Sequence, residues 1–95
     1  MSASDRRTKL FASAQRVPVG HSLSLGWEVS GSDAAVSSVQ LAWTGENGLE
    51  VIESVPDKGA RRMIFTRPGV FTFTLTAAFR DGVKHTKTVH VQVEG

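Results

Sequence analysis

The sequence predicts an all-β sandwich of about seven antiparallel strands, and three observations support this prediction. Apolar and polar residues alternate in several segments, and turn-forming residues interrupt the chain roughly every 8–12 residues, as in sandwich domains. No segment longer than a turn has a helical period, and only SDAAVSSV is a short helical candidate. The 95 residues include no cysteine, so the fold has no disulfide and must be held by packing.

The chain is long enough for one domain with one core. Residues 1–9 are polar and charged, which predicts a flexible lead-in, and residues 10–95 are predicted to form a single domain. The domain opens with LFASAQRVPVGHS, where Pro18 lacks the N–H that a central strand needs. This segment is therefore predicted to be a short edge strand with a bend.

Two segments in the first half have the alternation of half-buried strands. In SLSLGWEVS the apolar phase is formed by Leu23, Leu25, Trp27 and Val29. In VQLAW it is formed by Val39, Leu41 and Trp43. Asn47-Gly48 follows, and this dipeptide favours a tight hairpin turn because both residues tolerate positive φ. LEVIESV is then predicted as the return strand, and ARRMIFT as the next one after the turn at residues 56–59.

The segment PGVFTFTLTAAFRDG has the clearest strand pattern in the chain. Its predicted inner face consists of Phe71, Phe73, Leu75, Ala77 and Phe79. Its outer face is a row of threonines, Thr72, Thr74 and Thr76. After Asp81-Gly82, the last strand alternates between inward and outward residues. The inward set is Val89, Val91 and Val93, and the outward set is His90, Gln92 and Glu94.

Three stretches together resemble a known group of domains: VPVGHSLSLGWEVSG, VQLAWTG and RPGVFTFTLTAAFRDGVKHTKTVHVQV. They are similar to bacterial immunoglobulin-like domains of the polycystic kidney disease (PKD) and fibronectin type III neighbourhood. Those families commonly read v-G-x-x-v-x-L-x-W-x-v-s-G and then P-G-x-Y-x-f-x-L-x-A-x-d-x-x-G. The resemblance spans about Val17 to Val93 and implies an immunoglobulin-like β-sandwich. Phe71 stands where a tyrosine is common, so the hydroxyl bond of a tyrosine corner cannot form.

Composition and charge limit the cellular compartments and the classes of partner that are expected for the protein. A net charge of +2 and a pI near 9.5 argue only weakly for an anionic partner. No apolar run reaches the length of a membrane-spanning helix, and MSASDRRTKL has no apolar region typical of a signal peptide. We interpret the chain as a domain of a larger protein, located in the cell envelope or outside the cell, rather than a cytoplasmic protein.

The sequence does not predict catalysis, a metal site or a cofactor. His85 and His90 are five residues apart on one strand and should face opposite sides, and His21 is distant from both in sequence. Glu50 and Glu53 should also face opposite sides, and there is no G-x-S-x-G motif. Four acidic residues lie in different turns without a calcium-loop pattern, and we interpret them as turn formers: Asp33, Glu46, Asp57 and Asp81.

The candidate ligand-binding residues are basic or aromatic. Arg62, Arg80 and Lys87 would share one outer face if their strands are neighbours, and such a face could attract an acidic polysaccharide, a lipid head group or nucleic acid. Nucleic acid is not expected, because there is no tyrosine and the phenylalanines fall on core phases.

Trp27 and Trp43 are in phase with core residues, so both are expected to lie inside. If one of them is exposed, we expect it to be Trp43, because it stands next to the TGENG turn. Exposure there would favour glycan binding through Trp43, Asn47 and the loops at residues 45–48 and 57–59.

These observations favour a non-enzymatic spacer or protein-interaction module of a larger bacterial envelope, secreted or polysaccharide-handling protein. Its expected partners are neighbouring domains or another protein, or an anionic or neutral glycan. A carbohydrate-binding module and a phage virion decoration domain are the alternatives. The threonine row is interpreted as a solubilising face or as a docking face for an adjacent domain. Pro18 and Pro56 are interpreted as guards against pairing at open strand edges.

Overall fold

A computed structural model describes residues 7–31, 36–44 and 48–95 of the chain. The described residues form eight β-strands. These are β1 (Arg7–Ala12), β2 (Arg16–Pro18), β3 (Ser22–Ser30), β4 (Val36–Thr44), β5 (Glu50–Ser54), β6 (Lys58–Ile64), β7 (Gly69–Phe79) and β8 (Lys84–Glu94).

The strands form two sheets, as expected of an immunoglobulin-like sandwich. One sheet has the order β1-β3-β6 and the other the order β2-β8-β7-β4-β5. Every pair is antiparallel except β2 with β8, which is parallel. The predicted sandwich is confirmed, but the prediction that all strands are antiparallel is wrong at this pair.

The first predicted edge strand is in fact two strands that belong to different sheets. β1 pairs with β3, and the Ser13 N–H continues this contact by donating to the Ser24 carbonyl at 2.8 Å. The chain then crosses to the other sheet, where the Gln92 N–H donates to the Gln15 carbonyl at 2.8 Å. β2 follows and ends at Pro18 on the edge of the five-stranded sheet, where a missing N–H is tolerated.

β1 also begins earlier than the sequence predicted. Residues 7–9 belong to the lead-in that the sequence predicts, but they pair with β3, and the side chain of Thr8 is buried. Residues 1–6 lie outside the described part of the chain.

The core lies between the two sheets, and β7 contributes its largest share. Phe71, Phe73, Leu75, Ala77 and Phe79 are all buried, as predicted. The core is completed by residues of β2, β3, β4 and β8 and by Phe65: Val17, Leu23, Leu25, Trp27, Val29, Val39, Leu41, Phe65, Val91 and Val93. Phe65 and Phe71 pack with their ring centroids 4.5 Å apart. This ring contact includes Phe71, the position at which the resemblance implied a tyrosine.

The two tryptophans differ in burial, and one phenylalanine is not in the core. Trp27 is buried and its Nε1–H donates to the Pro56 carbonyl at 2.8 Å, whereas Trp43 is half-buried. Phe11 is 57% exposed, so the expectation that the phenylalanines occupy core phases is wrong there. The reason is the phase of β1, in which Thr8 faces inward and Phe11 faces outward over Gly26.

Candidate interaction surfaces

Trp43 lies at the β4–β5 edge of the sandwich with its ring partly covered. Its ring packs against Phe73 with centroids 6.1 Å apart. The Arg61 guanidinium lies over the same ring, 5.4 Å from its centroid, and makes two hydrogen bonds to the Glu53 carboxylate. Arg61 belongs to β6 and Glu53 to β5, so this group links the two sheets at their edge. The coverage leaves less of the ring free for stacking on a sugar.

The predicted basic face does not exist in the form that the sequence suggested. Arg62 lies in register with Ser24 on the outer face of the three-stranded sheet, while Lys87 belongs to β8 of the other sheet. Arg80 lies in the turn between β7 and β8. The strands of Arg62 and Lys87 are therefore not neighbours, so the expectation of one shared outer face is wrong. Asn47 lies outside the described residues.

The two histidines of β8 face opposite sides of the sheet, as predicted. His85 pairs with buried Ala77, and its Nδ1 forms a 3.3 Å hydrogen bond with the Thr8 hydroxyl. His90 faces outward and forms a 2.9 Å hydrogen bond with the Thr72 hydroxyl. Within the described ranges, no three His, Asp or Glu side chains form a group suited to a metal ion.

Of the two acidic turn residues that the structure describes, Asp81 has the local role that the sequence indicated, whereas Asp57 contributes its backbone carbonyl, which accepts a hydrogen bond from the Val29 N–H at 2.7 Å. The Asp81 carboxylate accepts a hydrogen bond from the Val83 N–H at 3.2 Å, which stabilises the β7–β8 turn. Gly82 follows in that turn with a φ of 90°, a conformation that favours glycine. Asp33 and Glu46 lie outside the described residues.

The outer face of the five-stranded sheet carries a two-strand array of threonines. β7 and β8 are in register, with Thr74 opposite Thr88 and Thr76 opposite Thr86. We call the array formed by Thr72, Thr74, Thr76, Thr86 and Thr88 the threonine face.

The threonine face continues across the next two strands without a charged side chain in its centre. On β4, Ala42 is paired with Thr74 and Gln40 with Thr76. On β5, Ile52 is paired with Ala42, so this row of residues continues across a fourth strand. Among the described outward-facing residues of β4, β5, β7 and β8, charged side chains occur only near the strand ends. These are Glu50, Lys84 and Glu94.

Two cavities lie between β1 and β8, and their linings follow one another along both strands, so we call them together the groove. Its first half has a volume of about 580 Å³ and is lined by Arg7, Thr8, Lys9, Lys84, His85, Thr86 and Lys87. Its second half has a volume of about 550 Å³ and is lined by Leu10, Phe11, Ala12, Gln15, Thr88, Val89 and His90. None of the described residues lining the groove is acidic, so the first half is strongly basic.

Sequence reasoning missed both the Arg61–Glu53 pair and the groove. Glu53 and Arg61 are charged residues at inward-facing positions of their strands. Glu53 is in register with buried Leu41, and Arg61 with buried Leu25. A charged side chain at an inward-facing position needs an oppositely charged partner, because burial of an unpaired charge is costly. The pairing of these two residues could therefore have been predicted from the sequence. The groove was not detectable, because it joins residues that are 77 positions apart in the sequence.

No described helix is long and apolar enough to span a membrane. No protein-family model matches the sequence, and no curated protein matches it either.

Solved structures, in contrast, share the fold. An engineered protein matches 96% of this chain with a TM-score of 0.64 and 18% identity, and the match covers 20% of that longer chain. The soluble domain of PmoD from Methylocystis sp. ATCC 49242 matches 83% of this chain and 77% of its own, with a TM-score of 0.59 and 12% identity.

A PKD domain extends the likeness to nearly full length. The PKD1 domain of Epp from Vibrio anguillarum is 26% identical, with a TM-score of 0.53, and the match covers 98% of this chain and 95% of that domain. The sheet order, the inward phases and this likeness agree with the resemblance seen in the sequence. The chain thus has an immunoglobulin-like β-sandwich fold that is similar to a PKD domain.

Proposed function

We propose that this domain is a non-catalytic spacer and interaction module of a larger bacterial envelope or secreted protein, and that its threonine face docks against a neighbouring protein domain. The observation that carries the proposal is the charge-free centre of this face across four strands, from Ile52 through Ala42 and Thr74 to Thr88. A solvated sheet face ordinarily mixes charged residues of both signs. Their confinement to the strand ends suits a contact with a flat protein surface.

The size of the face favours a neighbouring domain as its occupant. Four strands at ~4.8 Å spacing and three residue rows span roughly 400 Å², so a contact buries about 800 Å² in total. Contacts between domains of one chain bury about 600–1,500 Å², whereas obligate dimers bury about 2,000 Å² or more. A second copy of the chain would therefore gain too little area for a stable dimer.

The threonines also lose little freedom on docking. β-branched side chains have few χ1 rotamers in a strand, so little side-chain entropy remains to be lost in an interface. Two of the side chains are already held, because Thr72 bonds to His90 and Thr74 lies 3.5 Å from the Thr88 hydroxyl.

Carbohydrate binding through Trp43 has less support. The side chain of Trp43 is half-buried, and its ring contacts Phe73 and the Arg61 guanidinium, so part of the surface that would stack on a sugar is covered. Glycan binding at this residue is the alternative function, and a change in Trp43 fluorescence on addition of a polysaccharide would support it.

Thermal unfolding tests the docking proposal. We expect this domain to melt about 4–8 °C higher within the complete polypeptide encoded by its gene than as the 95-residue chain, because docking worth about 1 kcal/mol stabilises it by that amount. Thr74→Arg places a charge in the centre of the face and should abolish this gain. The melting temperature of the isolated variant should stay near that of the parent chain, since Thr74 points away from the core.

Ser22→Arg is the matched control. Ser22 is exposed on β3, in the other sheet, so the same added charge there should leave the gain intact. Equal melting temperatures for the isolated domain and the domain in the complete polypeptide would refute docking. Equal effects of the two variants would refute the assignment to this face.

A further inference from the structure

We propose that the open edge of β8, from Lys84 to His90, binds an extended acidic peptide as an added β-strand. The site shares Thr86 and Thr88 with the threonine face but uses their backbone groups at the strand edge, whereas docking uses their outward side chains, so either proposal can fail without the other. It rests on two independent features of one edge, which are backbone groups that pair with no described strand and a basic groove beside them.

The first feature is a long strand edge with a short neighbour. β8 has 11 residues, and β7 pairs along nearly all of it. On the other side, among the described strands, β2 pairs only with residues 92–94 of β8. The remaining edge has no hydrogen-bonded strand beside it in the described part of the chain.

The hydrogen bonds at the β2 end show which backbone groups face the open side. The Gln92 N–H donates to Gln15, and the Glu94 carbonyl accepts from the Val19 N–H at 2.8 Å, so even-numbered residues of β8 point toward β2. Because backbone direction alternates along a strand, the N–H and C=O of Thr86, Thr88 and His90 point the same way. These groups are the ladder that a further strand needs.

The second feature is the charge of the neighbouring groove. Arg7 and Lys9 of β1 line it from one side, and Lys84 and Lys87 of β8 from the other. Lys87 is in register with buried Leu75 but is itself exposed, so its ammonium group reaches solvent at this side of the sandwich. The hydrogen-bonded pair Thr8–His85 lies between these strands.

The groove changes character along its length. Beyond Lys87 its lining becomes largely uncharged, with Leu10, Ala12 and Val89 partly buried against the core. A strand beside β8 would point alternate side chains to this groove and the others to the threonine side. The preferred ligand is therefore a peptide with acidic residues at two alternate positions, next to His85 and Lys87, followed by an apolar residue next to Val89.

The charges also indicate which strands are rejected. Lysines on an open edge discourage pairing with a second copy, because two such edges would bring like charges together. The same lysines attract an acidic strand. Repulsion of a second copy and attraction of acidic side chains therefore both favour an acidic peptide as the ligand.

Binding of synthetic peptides tests the proposal. The probes are the capped peptide Thr-Glu-Thr-Glu-Thr-Val-Thr and its reversed sequence, which cover both strand directions. The control Glu-Glu-Thr-Thr-Val-Thr-Thr has the same composition without alternation. We expect one of the two probes to slow amide hydrogen exchange at Thr86, Thr88 and His90 in NMR spectra of the 95-residue chain. The control should have no such effect.

Variants of the protein separate charge from backbone pairing. Lys87→Gln should weaken binding by about twofold to fivefold, the range expected for an exposed ion pair, whereas Arg62→Gln on the other sheet should leave it unchanged. Thr88→Pro should abolish binding by removing an N–H that faces the open side. A probe with methylated amides on its pairing edge makes the same test with the protein unaltered.

Three results would overturn the proposal. Equal binding by the composition control or by polygalacturonate would mean that charge alone attracts ligands. Slowed exchange at Thr8, Leu10 and Ala12 in place of the β8 amides would move the site to β1. Unchanged affinity of the methylated probe would exclude strand addition.

Discussion

Two glycines in the three-stranded sheet make room for aromatic rings, but the rings differ in freedom. A Cβ on Gly59 would lie 2.8 Å from Cζ2 of Trp27, which is buried and held by its bond to Pro56. A Cβ on Gly26 would meet the ring of Phe11, which is 57% exposed. The motif S-L-G-W identifies a strand glycine, but only the register with β6 shows that Gly59 carries the greater constraint.

Gly59→Ala should lower the free energy of unfolding by about 1–3 kcal/mol, the range for overpacking, because the Trp27 ring cannot move aside. Gly26→Ala should cost less, because the Phe11 ring can rotate into solvent. Urea denaturation of the two variants measures both values. Equal losses would show that Trp27 is not held as tightly as its contacts indicate.

The Arg61 guanidinium protects Trp43, and fluorescence can measure this. Arg61→Ala should increase acrylamide quenching of Trp43 and shift its emission to longer wavelength, while buried Trp27 is unaffected. The stability loss should be at most about 1 kcal/mol, because the Arg61 and Glu53 side chains are 38% and 35% exposed.

Arg62→Ala is the control for this fluorescence experiment, because Arg62 is the next residue along β6 and points to the opposite face. The same quenching, measured with neutral and acidic polysaccharides on the parent chain, also tests the glycan alternative. A change in Trp43 emission with one polysaccharide would favour that function.

The strands that the sequence predicted best are those in which apolar and polar residues alternate regularly, so that the pattern within the strand shows which face is buried. β3, β4 and β7 have apolar residues at every second position, so their inward faces followed from the pattern. The sequence pattern did not predict the division between β1 and β2, because this division depends on pairing with strands that are distant in sequence. β1 is placed by β3, and β2 by a parallel contact with the last strand of the chain. Pro18 indicated that its strand lies at the edge of a sheet, but it did not indicate which of the two sheets contains that strand.

Leu75 tests the role of β7 as the central strand of the core. Leu75→Ala should lower the free energy of unfolding by about 2–5 kcal/mol, because the side chain is fully buried between the sheets. Thr76→Ala, one position further on the outer face, should cost less than about 1 kcal/mol. Comparable losses at the two positions would contradict the assigned phase of β7.

At the scale of the whole molecule, the sequence predicted a sandwich but not the arrangement of its surfaces. The threonine row was visible on β7, whereas its continuation through Thr86, Thr88 and Ala42 depends on strand order. The same strand order separates Arg62 from Lys87 and brings Arg7 and Lys87 to one groove. Strand neighbours are set by contacts distant in sequence, so the periodicity of a single strand carries no information about them.

Chemical modification of His90 tests the docking of the threonine face most directly. His90 is exposed on this face beside Thr72, and His21 lies outside it, just before β3. The reaction of each histidine with diethyl pyrocarbonate is followed by mass spectrometry in the 95-residue chain and in the complete polypeptide. We predict that His90 reacts more slowly in the complete polypeptide, that His21 reacts equally in both, and that Thr74→Arg restores the His90 rate. Equal His90 rates in the two proteins would show that the face stays open to solvent and would contradict the proposed docking.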